Sequence, residues 1–382
     1  MLLDRLINFF TSLKLTVVCL ALATVLVFIG TLAQVDMGLY KVQAEFFRSY
    51  VIFWGPKGAD WKIPVFPGGY LIGGVLIINL VAAHFKRFGV GWAKVPTTLT
   101  HGGLILLLLG QLGTDMLSTE SNLHLRVGEA RNYSESDRSM ELAVVDVSDP
   151  AKEKVVAIPD SLLVQGEILS HPELPFTIRV KRFLRHSTLS GQAASGLDKS
   201  PATQGTGSQV WLKEEPAVTK MDARNVPTAI LELQTTQGSL GTWLVSEYLN
   251  QAQPVTCNNR TFTLALRLRR HYRPFSLQLL EFKHDVYKGT DIPKNFSSRV
   301  RLQDTKTGED REALIYMNNP LRYGGLTFYQ ASFDTDNKGS VLQVVRNPSW
   351  LTPYLACVLV SLGLTIQFMG HLFNFLKKRK AA

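Results

Sequence analysis

The stretch LTVVCLALATVLVFIGTLA, residues 15–33, decides the fold class of this chain. It is an almost uninterrupted apolar run, and a helix that rises about 1.5 Å per residue needs about 20 such residues to cross a hydrocarbon core of roughly 30 Å. A core helix of a soluble protein would be shorter and amphipathic. Arg5 and Lys14 precede the run, but its length and the lack of an A-x-A-like site favour a retained anchor over a cleaved signal peptide.

Three further apolar runs predict additional spans. Residues 351–376 form another long run, and residues 63–83 and 99–117 form two runs that contain glycine or proline. In lipid, backbone N–H and C=O groups have to be paired within the segment, so a helix is the economical state for each run. We therefore predict four transmembrane α-helices, with Pro64 and Pro67 at the entrance to the second.

The basic residues beside these runs give the orientation. A net charge of +10 would suggest a nucleic-acid partner in a soluble protein. Here, however, the positive charges lie in short segments next to the spans, and such segments stay in the cytoplasm. We therefore expect no nucleic acid, but a multi-pass protein of the bacterial inner (cytoplasmic) membrane, with cytoplasmic N- and C-termini and with residues 118–349 on the periplasmic side. The residues used are Arg5, Lys14, Lys86, Arg87, Lys94, Lys377, Lys378, Arg379 and Lys380.

Residues 118–349 have a different periodicity from the rest of the chain. Short alternating runs, such as residues 261–268, predict half-buried strands, and turn-forming clusters separate them. The sequence thus predicts a large antiparallel β-rich extracytoplasmic domain inserted between helices 3 and 4. Residues 1–117 would form the membrane region, and residues 350–382 the fourth span with its basic tail.

Two segments outside the spans allow more than one interpretation. Residues 187–208 are rich in Ser, Gly, Ala and Thr, which favours a flexible loop, although a segment that orders against a partner has the same composition. Residues 39–54 mix aromatic side chains with Lys41, Glu45 and Arg48. That mixture suits an interfacial helix and equally a loop tucked under the outer domain.

No catalytic group is visible in the sequence. The three cysteines, Cys19, Cys257 and Cys357, form no C-x-x-C motif, so thiol–disulfide exchange is not expected of this chain. The sequence has no G-x-S-x-G, H-E-x-x-H or phosphate-binding glycine loop. The histidines of the outer domain have no zinc-like spacing, so we read them as surface or core residues.

Three histidines lie in or beside the predicted spans. An ionisable residue in a span indicates a functional site by default. His84 and His371 lie near basic span ends, where a simple interfacial role is the more economical reading. His101 is followed by glycines at 102, 103, 110 and 113, a pattern that fits a haem ligand against a helix face without side-chain bulk. Close helix packing through small residues explains the same spacing, and spacing alone favours packing.

Three motifs resemble one known family. NPLRYGGLTFYQ, residues 319–330, resembles the N-x-P-L-x-Y-x-G-x-x-F-Y-Q signature of the ResB (CcsB) family of System II cytochrome c biogenesis proteins. YKGTDIPKNFSS, residues 287–298, resembles its G-T-x-x-P-x-x-F-x-S segment, and residues 12–16 with Gly30-Thr31 resemble its first span. In the signature, we expect Pro320, Gly324 and Gly325 to shape turns and the aromatic residues Tyr323, Phe328 and Tyr329 to pack in the core or between layers.

The resemblance implies a function. Members of the family help to carry haem b across the membrane and to present apocytochrome c for thioether attachment, together with a ResC (CcsA)-type membrane subunit. A thioredoxin-like protein keeps thiols reduced in the pathway. The family carries a histidine at the start of the third span that is implicated in haem binding, and His101 matches it. His101 thereby becomes the candidate axial ligand of the haem iron, with His84 and His371 as weaker candidates.

The chain lacks the tryptophan-rich segment that presents haem in the partner. The resemblance therefore implies at most half of a cytochrome c synthase (haem lyase), with the opposite axial ligand supplied by the partner. The alternative is a membrane scaffold or apocytochrome chaperone that binds no haem and only stabilises the partner.

Overall fold

The chain divides into two compact units. The structure is a computed structural model that describes residues 2–56, 61–87, 94–218, 224–249, 251–290 and 293–381. The helical unit contains the chain up to Thr119 and from Arg346 onward, and the β unit lies between them in sequence.

Six α-helices form the frame of the helical unit. They are α1 (Leu2–Phe10), α2 (Leu13–Met37), α3 (Leu39–Val42), α4 (Gly69–Arg87), α5 (Val95–Leu117) and α6 (Thr352–Ala381). Within the described part of the chain, α2, α4, α5 and α6 are long and apolar enough to cross a membrane. Four apolar helices are thus confirmed.

The second span begins later than predicted. Helix α4 starts at Gly69, whereas the sequence predicts a span from residue 63. Residues Ile63–Pro67 instead form strand β2, which pairs antiparallel with β1 (Val51–Trp54). Proline has no backbone N–H to donate, so Pro64 and Pro67 are tolerated in a strand of a two-stranded ribbon but not inside a helix.

The segment 39–54 is only partly helical. Gly38, at a φ of +79°, ends α2, and the chain continues through α3 and a π-helical turn, Gln43–Phe47, to β1. Buried Val42, Phe46 and Ile52 of this segment form one apolar cluster with Leu26 of α2. The segment therefore packs in the core of the helical unit and is helical over residues 39–47 alone, whereas its interfacial position stays a prediction.

The β unit is built from antiparallel strands, as predicted. They are β3 (Thr119–Arg126), β4 (Ala130–Asp149), β5 (Lys152–Pro159), β6 (Ile168–Leu169), β7 (Thr177–Leu184), β8 (Ser187–Ser190), β9 (Asp198–Lys199), β10 (Trp211–Glu214), β11 (Thr228–Thr235), β12 (Gly238–Ser246), β13 (Gln253–Cys257), β14 (Arg260–Val286), β15 (Pro293–Asp304), β16 (Glu309–Tyr316), β17 (Leu321–Tyr323), β18 (Leu326–Phe333) and β19 (Gly339–Arg346). The pairs between these strands are antiparallel.

The long strands β4 and β14 join the two main cores of the β unit. The large sheet has the order β16-β15-β14-β4-β3-β19-β18-β17, and β5 and β13 extend it at β4 and β14. Opposite it lies the β12-β11-β7-β6 sheet, and the apolar side chains between them, such as Leu142, Leu231 and Leu264, form the first core. The second core lies at the other end of β14 and includes Leu277 and Phe328. The pairing of β14 with β4 shifts register between Leu268 and Arg270, where one core gives way to the other.

Residues 187–208 contain more regular structure than their composition predicts. They hold the short strands β8 and β9, both paired with β10, and the start of a 3-10 turn, Thr206–Gln209. Ser187 is buried, and its hydroxyl lies 2.7 Å from the hydroxyl of Thr228. Flexibility of this segment stays a prediction.

Candidate functional site

Two of the predicted site residues meet in the helical unit. His84 of α4 and His101 of α5 have ring centroids 6.4 Å apart and ring planes inclined by 29°. His371 lies in α6 with an exposed side chain, and no ring contact joins it to either histidine among the described residues. The structure thus brings together His84 and His101 and leaves His371 apart.

A second contact fixes the register of α4 against α5. At the other end of the pair, the Tyr70 hydroxyl donates to Asp115 Oδ2 at 2.5 Å. Tyr70 precedes His84 by fourteen residues, and His101 precedes Asp115 by the same number, so the helices run antiparallel with both contacts on their facing sides. Arg48 binds the other oxygen of the same carboxylate at 2.8 Å.

The glycines of α5 divide into two groups. A Cβ on Gly103 would lie 2.7 Å from Val360 Cγ2, Gly110 approaches Thr352 at the start of α6, and Gly113 approaches Ser349 just before that helix. From the opposite side, Gly363 of α6 approaches α5 at Thr100. Three of the glycines that follow His101 therefore serve close packing of α5 against α6.

Gly102 belongs to the other group. Apart from its chain neighbours and the backbone of its own helix, no described atom lies within 4 Å of the position of a Cβ on Gly102, and the same holds for Gly73 and Gly74 of α4. His101 and Gly103 differ by two positions, which is about 200° around a helix, so the histidine points away from the face that packs on α6. The face of α5 that packs on α6 and the face that carries His101 are thus different.

A polar network that the sequence reading missed holds the break between α1 and α2. Asn79 of α4 is buried, and its Nδ2 donates to the carbonyl oxygens of Phe10 at 2.7 Å and Ser12 at 3.1 Å. Its Oδ1 accepts from the Thr16 hydroxyl at 2.6 Å. A single Asn within an apolar run was the signal for such a contact, because a buried amide needs hydrogen-bond partners.

The histidines of the β unit occur in separate local contacts. His124 Nε2 lies 2.9 Å from Asp334 Oδ1, and His284 Nδ1 lies 3.1 Å from Asn337 Oδ1. Desolvation lowers the pKa of His271 below its ordinary value, and Arg273 and Arg269 lower it further. Within the described part of the chain, no three His, Cys, Asp or Glu side chains are grouped as a metal site.

The ResB-like signature forms a tight turn in the second core. Gly324 and Gly325, at φ of +57° and +74°, connect β17 to β18 as a two-residue hairpin loop, a geometry that favours glycine. The Tyr323 hydroxyl donates to Asp304 Oδ2 at 2.9 Å, and Phe328 is buried. Tyr329 is exposed, which corrects its predicted place in the core, because neighbouring residues of a strand point to opposite faces.

The two β-unit motifs touch each other. Ser298 of the upstream motif is buried, and its Oγ lies 2.6 Å from Gln330 Oε1 of the signature. Phe296 and Phe333 have ring centroids 5.5 Å apart. The motifs therefore hold β15 and β18 together and provide packing and hydrogen bonds rather than a reactive group.

The chain belongs to a class of protein that combines four candidate membrane-spanning helices with a large antiparallel β unit. Its helical unit carries a pair of histidines on two of these helices. Residues 232–344 match the ResB-like family, and this match confirms the recognition of the ResB family from the motifs. Protein NrfI of Wolinella succinogenes is 41% identical over 103 residues, which are 27% of this chain and 11% of that protein. The chain thus covers about a tenth of the length of this curated relative.

Proposed function

We propose that this chain is a subunit of a bacterial cytochrome c biogenesis complex that helps to carry haem b across the membrane and to present apocytochrome c for thioether attachment. The similarity of residues 232–344 to the ResB-like family supports the biogenesis role. The observation that carries the haem part is the pairing of His84 and His101 between two candidate spans.

The two histidines fit a haem iron. An imidazole nitrogen binds a metal at about 2 Å and its ring centre lies about 1 Å further, so two axial imidazoles have ring centres about 6 Å apart. The 6.4 Å between the ring centroids of His84 and His101 is close to this separation. Gly102, next to His101, has no side chain, and the space beside it is open: no other part of the described structure comes within 4 Å of where a Cβ would lie.

In this proposal haem is the cargo, and the residues of the chain hold it. His101 serves as one axial ligand because α6 packs on the opposite face of α5 and leaves the imidazole directed towards α4. His84 is the second ligand that this chain itself offers. A histidine of a ResC/CcsA-type partner is the alternative second ligand.

The membrane orientation and the partners belong to the same proposal. Basic residues beside the four candidate spans support cytoplasmic termini and a periplasmic β unit. The ResC/CcsA-type subunit would supply the tryptophan-rich loop, and the β unit would position the apocytochrome. A separate thioredoxin-like protein would keep the thiols of the pathway reduced, as the resemblance to the family implies.

The test is the absorbance spectrum of the complex purified with its partner. We expect His101→Ala to lower haem content several-fold and to change the axial-ligation bands, and added imidazole to restore the spectrum by occupying the vacated position. His371→Ala is the matched control and should retain both. Haem content and spectrum unchanged in His101→Ala would contradict the proposal and favour the scaffold alternative.

A second variant identifies the opposite ligand. If His84 is that ligand, His84→Ala changes the spectrum as His101→Ala does. The double variant then binds no less haem than either single variant. If the partner supplies the ligand, the axial-ligation bands of His84→Ala match the parent.

A further inference from the structure

The helical unit contains a cavity that the haem proposal does not use. Its volume is about 520 Å³, and it lies between the second half of α2, the segment 39–54 and strand β2. Leu26, Ile29, Phe46 and Phe66 are among the apolar residues of its wall. Lys41, Glu45 and Lys62 also line it.

Buried packing forms the cavity in advance of any ligand. The cluster of Val42, Phe46 and Ile52 with Leu26 fixes the segment 39–54 against α2. The approach is close, because a Cβ on Gly30 would lie 2.9 Å from the ring of Phe47. The part of the wall formed by Leu26, Phe46 and Ile52 therefore belongs to the core of the helical unit.

The surroundings of the cavity match the boundary between lipid and water. Ile29, on the apolar side, is 41% exposed although it lies within a candidate span. Trp54 and Trp61, on the side of the β1–β2 ribbon, are 58% and 56% exposed. Exposed tryptophans at the end of a membrane helix mark the headgroup level, because the indole has an apolar body and a polar N–H.

The charges at the cavity are cationic overall. Lys41 and Glu45 form a distant ion pair at 3.9 Å with both side chains more than 40% exposed, so neither charge is strongly neutralised. The ion pairs among the described residues at the cavity include Lys41 with Glu45 and none with Lys62. Among the described residues that line the cavity, two lysines against one glutamate leave one positive charge at the headgroup level, above an apolar wall.

We propose that this cavity binds one anionic phospholipid, with its phosphate at Lys41 and Lys62 and an acyl chain along Leu26 and Ile29. Two positive charges against one negative favour an anionic headgroup over a zwitterionic one. The described residues that line the cavity include no histidine or cysteine. The lipid would support the segment 39–54, whose Arg48 binds Asp115 at the end of α5.

Native mass spectrometry of the full chain in detergent tests the proposal, with dioleoyl phosphatidylglycerol and dioleoyl phosphatidylcholine as probes. We expect one phosphatidylglycerol to be retained in preference to phosphatidylcholine. The double variant Lys41→Gln/Lys62→Gln should weaken this retention about thirtyfold, because about 1 kcal/mol per basic residue is lost twice and each 1.4 kcal/mol is a factor of ten. Ile29→Trp, which fills the apolar wall, should also lower it.

The control is Lys377→Gln/Lys378→Gln, which removes the same charge from the exposed end of α6. An equal loss in this control would show general surface attraction and overturn the proposal. Equal retention of the two lipids, or retention that both cavity variants leave unchanged, would overturn it as well. The haem content of the partner complex should stay at the parent level in Lys41→Gln/Lys62→Gln. A fall in haem with lipid retention unchanged would assign the cavity to haem instead.

Discussion

The helical unit and the β unit of this chain achieve a defined structure in different ways. The β unit buries many large side chains completely, such as Leu142, Leu231 and Leu264, between hydrogen-bonded sheets. The helical unit leaves most of its apolar surface exposed and relies on a few specific contacts, such as Asn79 with the start of α2 and Gly103 with α6. Burial specifies the first unit, whereas close approach and buried polar pairs specify the second.

The largest expected effect is the loss of a β-unit core side chain. Leu142 is fully buried in the first core, so Leu142→Ala should lower the free energy of unfolding of the β unit by about 2–5 kcal/mol. Urea denaturation of the full chain in detergent, followed by circular dichroism of the strands, measures it.

Leu362 of α6 is the matched control. It is 50% exposed in the helical unit, so Leu362→Ala should leave the urea midpoint of the β unit unchanged. Equal shifts for the two variants would remove the contrast between the units.

The glycine contacts of the helical unit give the next effect. Gly103→Ala places a Cβ 2.7 Å from Val360 Cγ2 and 2.8 Å from the Ala356 carbonyl oxygen, which forces α5 and α6 apart. Such overpacking costs about 1–3 kcal/mol. The thermal midpoint of the full chain in detergent should fall.

Gly102→Ala is the neighbouring control for stability. No described atom lies within 4 Å of the new Cβ, so the midpoint should be unchanged or slightly higher. If Gly102→Ala destabilises the chain as much as Gly103→Ala, the α5–α6 contact at Gly103 is not the cause of the loss.

A third substitution tests whether the signature glycines are needed for backbone conformation. Gly325 has a φ of +74° and no described atom within 4 Å of a Cβ position, so Gly325→Ala should cost about 1–2 kcal/mol through the left-handed backbone alone. Gly325→Asn should cost less because Asn adopts this region more readily. Urea midpoints of the β unit measure both. Equal losses for the two variants would contradict a conformational cause.

The sequence was sufficient for features that depend on local pattern. The length of the apolar runs predicts four apolar helices, and the alternation of apolar and polar residues predicts an antiparallel β-rich unit. Both patterns repeat along the whole element, so they can be recognised from neighbouring residues alone. The residue at which α4 starts was harder to predict from the sequence. Pro64 and Pro67 mark a helix boundary, but only pairing with β1, which lies earlier in the chain, makes their segment a strand.

The candidate site could be predicted only in part. His101 carried a local signal in the glycines that follow it, yet Gly103 proves to pack on α6 and Gly102 does not. The contact of His101 with His84 depends on the antiparallel register of α4 and α5, which the Tyr70–Asp115 bond helps to set. Side-chain pairs of this kind join distant positions, and a single sequence does not give their register.

The smallest expected effect is the pH dependence that one ion pair gives to the stability of the β unit. Asp146 of the β unit accepts from the Ser148 hydroxyl at 2.6 Å and from Arg260 Nε at 3.0 Å, and these contacts lower its pKa to about 2. An unfolded chain has an Asp pKa of about 3.9, so the unfolded state binds the proton first as the pH falls. The stabilising contribution is therefore complete above about pH 4 and is lost towards about pH 2.

Urea midpoints of the β unit between pH 6 and pH 2.5 test this dependence. The difference between the parent and Asp146→Asn should be largest at pH 6 and shrink below about pH 4, because the parent alone loses an ionised carboxylate. Ser148→Ala, which removes the first of the two contacts, should show part of the same change. If the urea midpoints of the parent and Asp146→Asn depend on pH in the same way down to pH 2.5, the Asp146–Arg260 pair is no stronger than a solvent-screened surface pair. The difference in strength between this pair and the Arg48–Asp115 pair of the helical unit would then be larger.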